Sequence, residues 1–389
     1  MKPKLRIISA AGILVCISAM FLLSGCVRPA KSDMTGAFEV VKASYADGFY
    51  WRSWEDGDVK RTCLEIVSPG DSVIVATVYR DSISWMSDAR RGMTAVVIGP
   101  IERGVATLST THVALISSWD SACIHWSGGA YVDFIRWQPA LDKLARGDAH
   151  DIGGEPEVDR EKLVSLAPAV LTIYPFGDPL QGVNLRQRVP VVPIMEYLES
   201  QPLGRAEWMR AMGWMMGDSA AKQSDLKFLE IAGTYERLRN AVAQKAGKPR
   251  VFTGSVQQGT WHAPGSTSFI ATLLEDAGLT YILDSDSGRE NVEVALEKMV
   301  VLSQTADAWG MVTHHPGQLS RSAFLEADER HAMLLPPTQQ VFVANTANCD
   351  YFGMWVARPD AMLENLVALF DEDYTWSHDF QPCFEWIPE

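Results

Sequence analysis

The sequence predicts an α/β fold built as two lobes with parallel sheets, joined by one long helix and preceded by a β-rich extension. Three observations carry this. From Gly104 to the C-terminus, short apolar strands alternate with helical segments, the pattern of parallel α/β layers. A stretch from Arg205 to Gln244 keeps helical apolar spacing through Trp208, Met212, Leu226, Leu229, Tyr235 and Leu238, and Gly247-Lys-Pro249 stops it. A unit also recurs on either side of that stretch. Glu161-Lys-Leu-Val-Ser-Leu precedes the strand Val170–Tyr174, and Glu297-Lys-Met-Val-Val-Leu precedes Ala308–Val312. Both strands run into loops containing Pro and Gly, Pro175-Phe-Gly177 and His314-His-Pro-Gly317. The halves therefore read as two Rossmann-like lobes.

In chain order, residues 1–25 form a processing segment. Lys2, Lys4 and Arg6 precede the apolar run Ile7–Leu23, which ends at Leu23-Ser24-Gly25-Cys26. Charge first, then a short apolar run, then small residues, is the layout of a secretory signal. Cys after Leu-Ser-Gly resembles a bacterial lipobox, which makes Cys26 the lipidated first residue of the mature chain. The other reading is an uncleaved anchor helix. Removing the signal takes the net charge from −14 to −17. Residues 26–36 read as a tether. A β-rich extension follows, with strands expected at Cys63–Val67, Ser72–Tyr79 and Thr94–Ile98. The first lobe is expected over 37–204, the linking helix over 205–246 and the second lobe over 247–389. Cys63, Cys123, Cys349 and Cys383 remain in the mature chain. In an exported protein they permit two disulfides in any of three pairings, and at least one is expected. Four buried thiols are the alternative.

Composition narrows the function. A chain of 389 residues, 47% hydrophobic and 21% charged, has the make-up of a folded protein. Its acidic balance argues against nucleic acid as a partner, which needs clustered Lys and Arg. No GxGxxG, GxxxxGK, HExxH or GxSxG occurs, so neither an enzyme nor a resident cofactor is expected. His314-His315 is the one adjacent histidine pair, at the C-terminal end of an expected strand, where α/β sheets place ligands. A metal or haem contact there competes with a plain loop pair. Tyr131, Tyr174, Phe176 and Trp261 all fall in segments read as loops at strand ends, beside Gly or Pro. Facing each other across a cleft, such rings suit a large flat ligand.

Four segments then carry a family resemblance. Asp151-Ile-Gly-Gly-Glu-Pro through Tyr174 is similar to the signature segment of ABC-importer substrate-binding proteins for iron complexes and vitamin B12. Val189–Trp208 is similar to that family's next segment, which opens the linking helix. Gly259-Thr-Trp-His-Ala-Pro-Gly-Ser-Thr-Ser-Phe269 with Leu274-Glu-Asp-Ala-Gly278 resembles its second-lobe loop and helix. Val356-Ala-Arg-Pro-Asp360 with Leu366-Val-Ala-Leu-Phe370 resembles its closing segment. The resemblance implies a monomeric, lipid-anchored envelope protein. It would hold a metal chelate between the lobes (ferric siderophore, haem or corrinoid) and hand it to a membrane permease and ATPase. Asp178 matches the first-lobe acidic residue through which the family docks on the permease, whereas Pro264–Ser268 has no acid for the second lobe. The alternatives are an envelope enzyme, or an assembly lipoprotein that binds nothing, on the same scaffold.

Overall fold

The computed structural model describes residues 38–154, 158–175, 188–245, 247–283, 288–378 and 380–389. The signal segment, Cys26, Phe176 and Asp178 lie outside the described residues. The extension is a five-stranded sheet in sequence order: β1 (Phe38–Lys42), β2 (Phe49–Asp56), β3 (Val59–Val67), β4 (Ile74–Tyr79) and β5 (Ala95–Val97). The first four strands pair antiparallel and β5 pairs parallel to β4. Helix α1 (Ser82–Ser87) connects β4 to β5, and Asp81 caps it by accepting from the Ser84 N–H. Strand alternation separates two faces. Phe49, Leu64, Ile66, Ala76 and Val78 are buried on the inner face.

The outer face holds a buried charged cluster. Arg52 donates to Glu65 at 2.6 Å and to Asp88 at 2.7 Å, and the Tyr79 hydroxyl donates to Asp88 at 2.6 Å. Burial alone would raise the Asp88 carboxyl, but the bonds from Arg52 and Tyr79 outweigh it and hold the group below the usual range. A depressed carboxyl stabilises the fold above its unfolded value, about 3.9, and loses that contribution as pH falls through the lower folded value. Urea midpoints are therefore expected to stay level, as far as Asp88 is concerned, from neutral pH to about pH 4 and to drop below it. In Asp88→Asn the acid limb should be shallower. An acid limb of unchanged steepness in that variant would show that Asp88 does not set it.

The first lobe contains β6 (Val105–Thr107), α2 (Thr110–Ser117), β7 (Trp126–Gly129), α3 (Gln138–Arg146), β8 (His150–Asp151), α4 (Arg160–Leu166), β9 (Val170–Ile173) and β10 (Val191–Pro193). Its sheet runs β10-β9-β6-β7-β8, parallel throughout. Gly128 and Gly129, just before Tyr131 in a segment read as a loop, are the end of β7.

The expected single helix over 205–246 is two helices, α5 (Pro202–Met215) and α6 (Asp218–Ala243). Gly217 sits between them at φ 97°, a conformation that ends a helix and that side chains rarely adopt. Helix α6, 26 residues and so about 39 Å long, is the long connection to the second lobe. Helix α5 turns inward and is almost wholly buried. The extension is bolted to it. Phe49 meets Trp208 edge-on at 5.0 Å, and Arg210 lies over Trp51 at 5.3 Å. The turn at residues 44–48 gives its backbone N–H groups to two buried carboxylates. Ser44, Tyr45 and Ala46 donate to Glu207, while Asp47 and Gly48 donate to Glu199. A Cβ at Gly48 would fall 2.6 Å from the Trp208 ring, so this close approach needs glycine.

The second lobe begins with β11 (Arg250–Thr253). A hairpin of β12 (Ser255–Gln257) and β13 (Thr260–Pro264) follows, then α7 (Phe269–Asp276), β14 (Thr280–Tyr281), β15 (Asn291–Ala295) and α8 (Leu296–Ser303). The rest is β16 (Ala308–Thr313), α9 (Arg321–Ala327), α10 (His331–Leu334), β17 (Gln340–Asn345), α11 (Met354–Ala357), α12 (Pro359–Phe370) and β18 (Phe384–Trp386). The main sheet runs β14-β11-β16-β17-β18, parallel except for β18, and β12-β13-β15 form a small antiparallel sheet. The recurring sequence units are α4–β9 and α8–β16. A disulfide joins Cys349, after β17, to Cys383, just before β18, while Cys63 and Cys123 are buried free thiols. Residues 38–389 pack as one compact unit.

Candidate functional site

A cleft of about 390 Å³ opens between the strand ends of the two lobes. From the first lobe it is lined by Leu108–Thr110 after β6, Tyr131, Phe134 and Arg136 after β7, and Tyr174 after β9. From the second it is lined by His314 after β16, and by Thr346 and Cys349–Phe352 after β17. Each segment follows the C-terminal end of a parallel strand, where successive connections diverge and leave a crevice. Tyr131, Tyr174 and His314 thus line one cavity.

Local chemistry fixes these walls. Tyr131 takes a left-handed backbone at φ 57°, and its ring passes so close to Gly154 that a Cβ there would lie 3.0 Å away. Asn345, buried at the end of β17, ties the two second-lobe loops together. Its Oδ1 accepts from the His315 N–H at 3.0 Å, and its Nδ2 donates to the carbonyls of His315 and Gly317 at 2.9 Å each. The adjacent histidines part company here. His314 lines the cleft with Nδ1 3.0 Å from Thr346 Oγ1, while the backbone of His315 is held by Asn345. Asp350 accepts from the N–H groups of Gly353 and Met354 at the start of α11. Burial dominates those bonds and raises its carboxyl, and the positive charge of Arg136 acts in the opposite sense. Burial likewise pushes the Tyr351 hydroxyl up to about 12.

The first turn of α2 is anchored beneath the first-lobe wall. Thr111 donates to Glu196 at 2.6 Å, and His112, fully buried, sets Nδ1 3.0 Å from Thr172 and Nε2 3.6 Å from the second Glu196 oxygen. Burial opposes ionisation of Glu196, but His112 and Thr111 outweigh it, so its carboxyl lies below the usual range. Tyr351 also borders a second cavity of about 240 Å³ inside the second lobe, lined among others by Thr253, Gly254, Met311 and Phe342. Among the described residues, no group of three or more His, Cys, Asp or Glu is placed to hold a metal ion.

Trp261 requires correction. It is in strand β13, not in a loop, and it is fully buried. Its ring packs on Phe252 and Trp309 at 5.7 and 5.2 Å, and its Nε1 donates to the Thr253 carbonyl at 3.2 Å. It lines neither cavity. Sequence reasoning also passed over Arg136, Asp350, Tyr351 and Phe352. Tyr174 was selected as an aromatic directly past an apolar strand and beside Pro175, whereas Tyr351-Phe352 lie six residues or more beyond the end of β17, so the same rule does not reach them although Gly353 follows.

Two lobes of parallel sheet with an aromatic cleft at their opposed strand ends define a solute-binding protein. Residues 132–334 match the family described as periplasmic binding protein, and the chain belongs to that family, one of binding proteins rather than enzymes. An uncharacterised lipoprotein of Methanocaldococcus jannaschii is 24% identical over 331 residues, covering 77% of this chain and 78% of the relative. Among solved structures, a periplasmic haem-binding protein from Pseudomonas aeruginosa superposes with a TM-score of 0.54 at 12% identity, over 74% of this chain and 98% of that one. A siderophore-binding protein from Vibrio cholerae, solved with Fe3+–Desferal, gives 0.50 at 17% identity over 69% and 98%. A periplasmic binding protein from Veillonella parvula gives 0.53 at 12% identity over 83% and 97%. At these identities the likeness shows a shared fold.

Proposed function

We propose that this chain captures a metal chelate (ferric siderophore, haem or corrinoid) in the inter-lobe cleft and delivers it to an ABC permease and ATPase. It acts as a monomer in the cell envelope, tethered by lipid on Cys26 after loss of residues 1–25. The observation that carries this reading is the cleft itself. Tyr131, Phe134, Tyr174, Tyr351 and Phe352 offer broad ring surface from both lobes, and Arg136 adds a positive charge. Flat or bulky chelates are held by such surfaces at low entropic cost. The haem- and siderophore-binding proteins that share the fold support the same ligand class. Phe176 extends the aromatic wall in this reading, and Asp178 contributes to docking on the permease.

The test is mass spectrometry of ligand retained by protein purified from its native host, followed by fluorescence titration with haem, cobalamin and a ferric siderophore. One of these is expected to bind one-to-one and be recovered unchanged, with Tyr131→Ala and Tyr174→Ala each weakening binding about tenfold or more. His314→Ala should weaken metal-bearing and metal-free analogues equally, because Thr346 already engages the ring. If no chelate is retained and none binds, the non-binding assembly role takes its place.

A further inference from the structure

The N-terminal sheet buries its inner face against α5, and α1 packs on its outer face. Around that outer face the surface is apolar. Phe38 and Val40 on the edge strand are 44% and 45% exposed, Met86 on α1 is 57% exposed, and Met93 beyond it is fully exposed. The sheet edge and α1 adjoin. Phe38 pairs across the strands with Trp54, whose Nε1 donates to Ser87 in α1. The Arg90 guanidinium stacks 4.4 Å from the Phe38 ring centroid, and Arg91 lies 5.5 Å from that of Trp85 while donating to the Met86 carbonyl. The nearby carboxylates are engaged elsewhere, since Asp88 turns inward to Arg52 and Asp81 caps α1. Two positive charges on exposed aromatic rings thus stand out on a chain whose overall charge is negative.

We propose that this face rests on a lipid surface carrying anionic head groups and so orients the protein on its membrane. Trp and Arg are the side chains that settle at the head-group level, with rings toward the acyl boundary and guanidinium groups on phosphates. Position in the chain supports the same occupant. Phe38, where β1 begins, lies twelve residues after Cys26. A chain of that length reaches at most about 40 Å, so a lipidated Cys26 would keep the start of β1, and this face with it, within that distance of the bilayer. The contact is independent of ligand capture, and it is testable without the lipid.

The test uses residues 27–389, which contain the whole compact unit, with vesicles of phosphatidylcholine alone or mixed with phosphatidylglycerol. Binding is read by flotation, and far-ultraviolet circular dichroism checks the fold. The mixed vesicles are expected to bind the chain, and the neutral ones to bind at least tenfold less. Arg90→Gln/Arg91→Gln should lower binding to mixed vesicles about tenfold or more, at roughly fivefold per cation near an anionic surface, and Trp85→Ala/Met93→Ala should lower it comparably. Leu226→Ala/Leu229→Ala, an exposed apolar pair on α6, should leave it unchanged. No binding to mixed vesicles overturns the proposal, as does binding that the arginine pair and the Trp85 pair both leave intact. Loss of vesicle binding together with capture of a membrane protein by the same face would assign the surface to that protein instead.

Discussion

Trp261→Ala is expected to destabilise the folded chain by about 3–5 kcal/mol, read as a lowered urea midpoint, while the protein that remains folded keeps its ligand affinity within about twofold. The ring is fully buried between Phe252 and Trp309, and Trp309 in turn meets Phe324 and His331 at 4.8 and 5.1 Å. Removing it opens a void beneath β11 and β16 that these aromatics cannot fill without leaving their rotamers. It also leaves the Thr253 carbonyl without its indole donor. A smaller effect is expected from Tyr174→Ala on stability, because that ring borders open cleft. The reverse pattern, strong loss of affinity with little loss of stability at Trp261, would return this residue to the binding site.

Why Trp261 misled a reading of the sequence is instructive. It follows Gln257-Gln258-Gly259-Thr260, which reads as a loop, yet Gln258 and Gly259 form the tight turn of the β12–β13 hairpin, with φ of 50° and 88°. Two consecutive left-handed residues suit a two-residue hairpin, usually announced by Asn-Gly or Asp-Gly. Gln carries that signal weakly, so the strand beyond it was hidden. The Met216-Gly217 break was hidden for a related reason: a lone glycine within helical spacing is often tolerated, and only the fold-back of α6 on α5 demands φ above zero there. By contrast β3, β4 and β9 were legible as runs rich in β-branched residues and bounded by turns, and β16 through its match to the unit that precedes β9. Tyr131, Tyr174 and His314 were found together because parallel strands deliver their C-terminal ends to one edge. Arg136 and Asp350 lie in irregular segments with no period to read, and only packing of the lobes makes them neighbours of the cleft.

Glu207→Ala is expected to cost about 3–5 kcal/mol and to loosen the N-terminal sheet before the rest of the molecule. The Glu207 carboxylate is fully buried and accepts from the N–H groups of Ser44, Tyr45 and Ala46 at 2.8, 2.7 and 3.0 Å, and from Arg210 at 2.7 Å. Charge-assisted bonds of this kind contribute about 1.5–3 kcal/mol each when their loss strands a buried partner, and they do not add in full. Alanine strands the three N–H groups of the turn, while Arg210 keeps its pair with Asp225 at 2.7 Å; Glu207→Gln keeps an acceptor oxygen of the same reach and should cost roughly half as much. Glu199, which receives Asp47 and Gly48, holds the far end of the turn, so the sheet should open as a hinged unit and not detach. Hydrogen exchange distinguishes the outcomes. Amides of β2 and β3 should lose protection in Glu207→Ala, while those of β16 and β17 keep theirs. Equal loss across all four strands would mean that the sheet and the two lobes unfold together, and that the carboxylate–turn contact is part of one cooperative core.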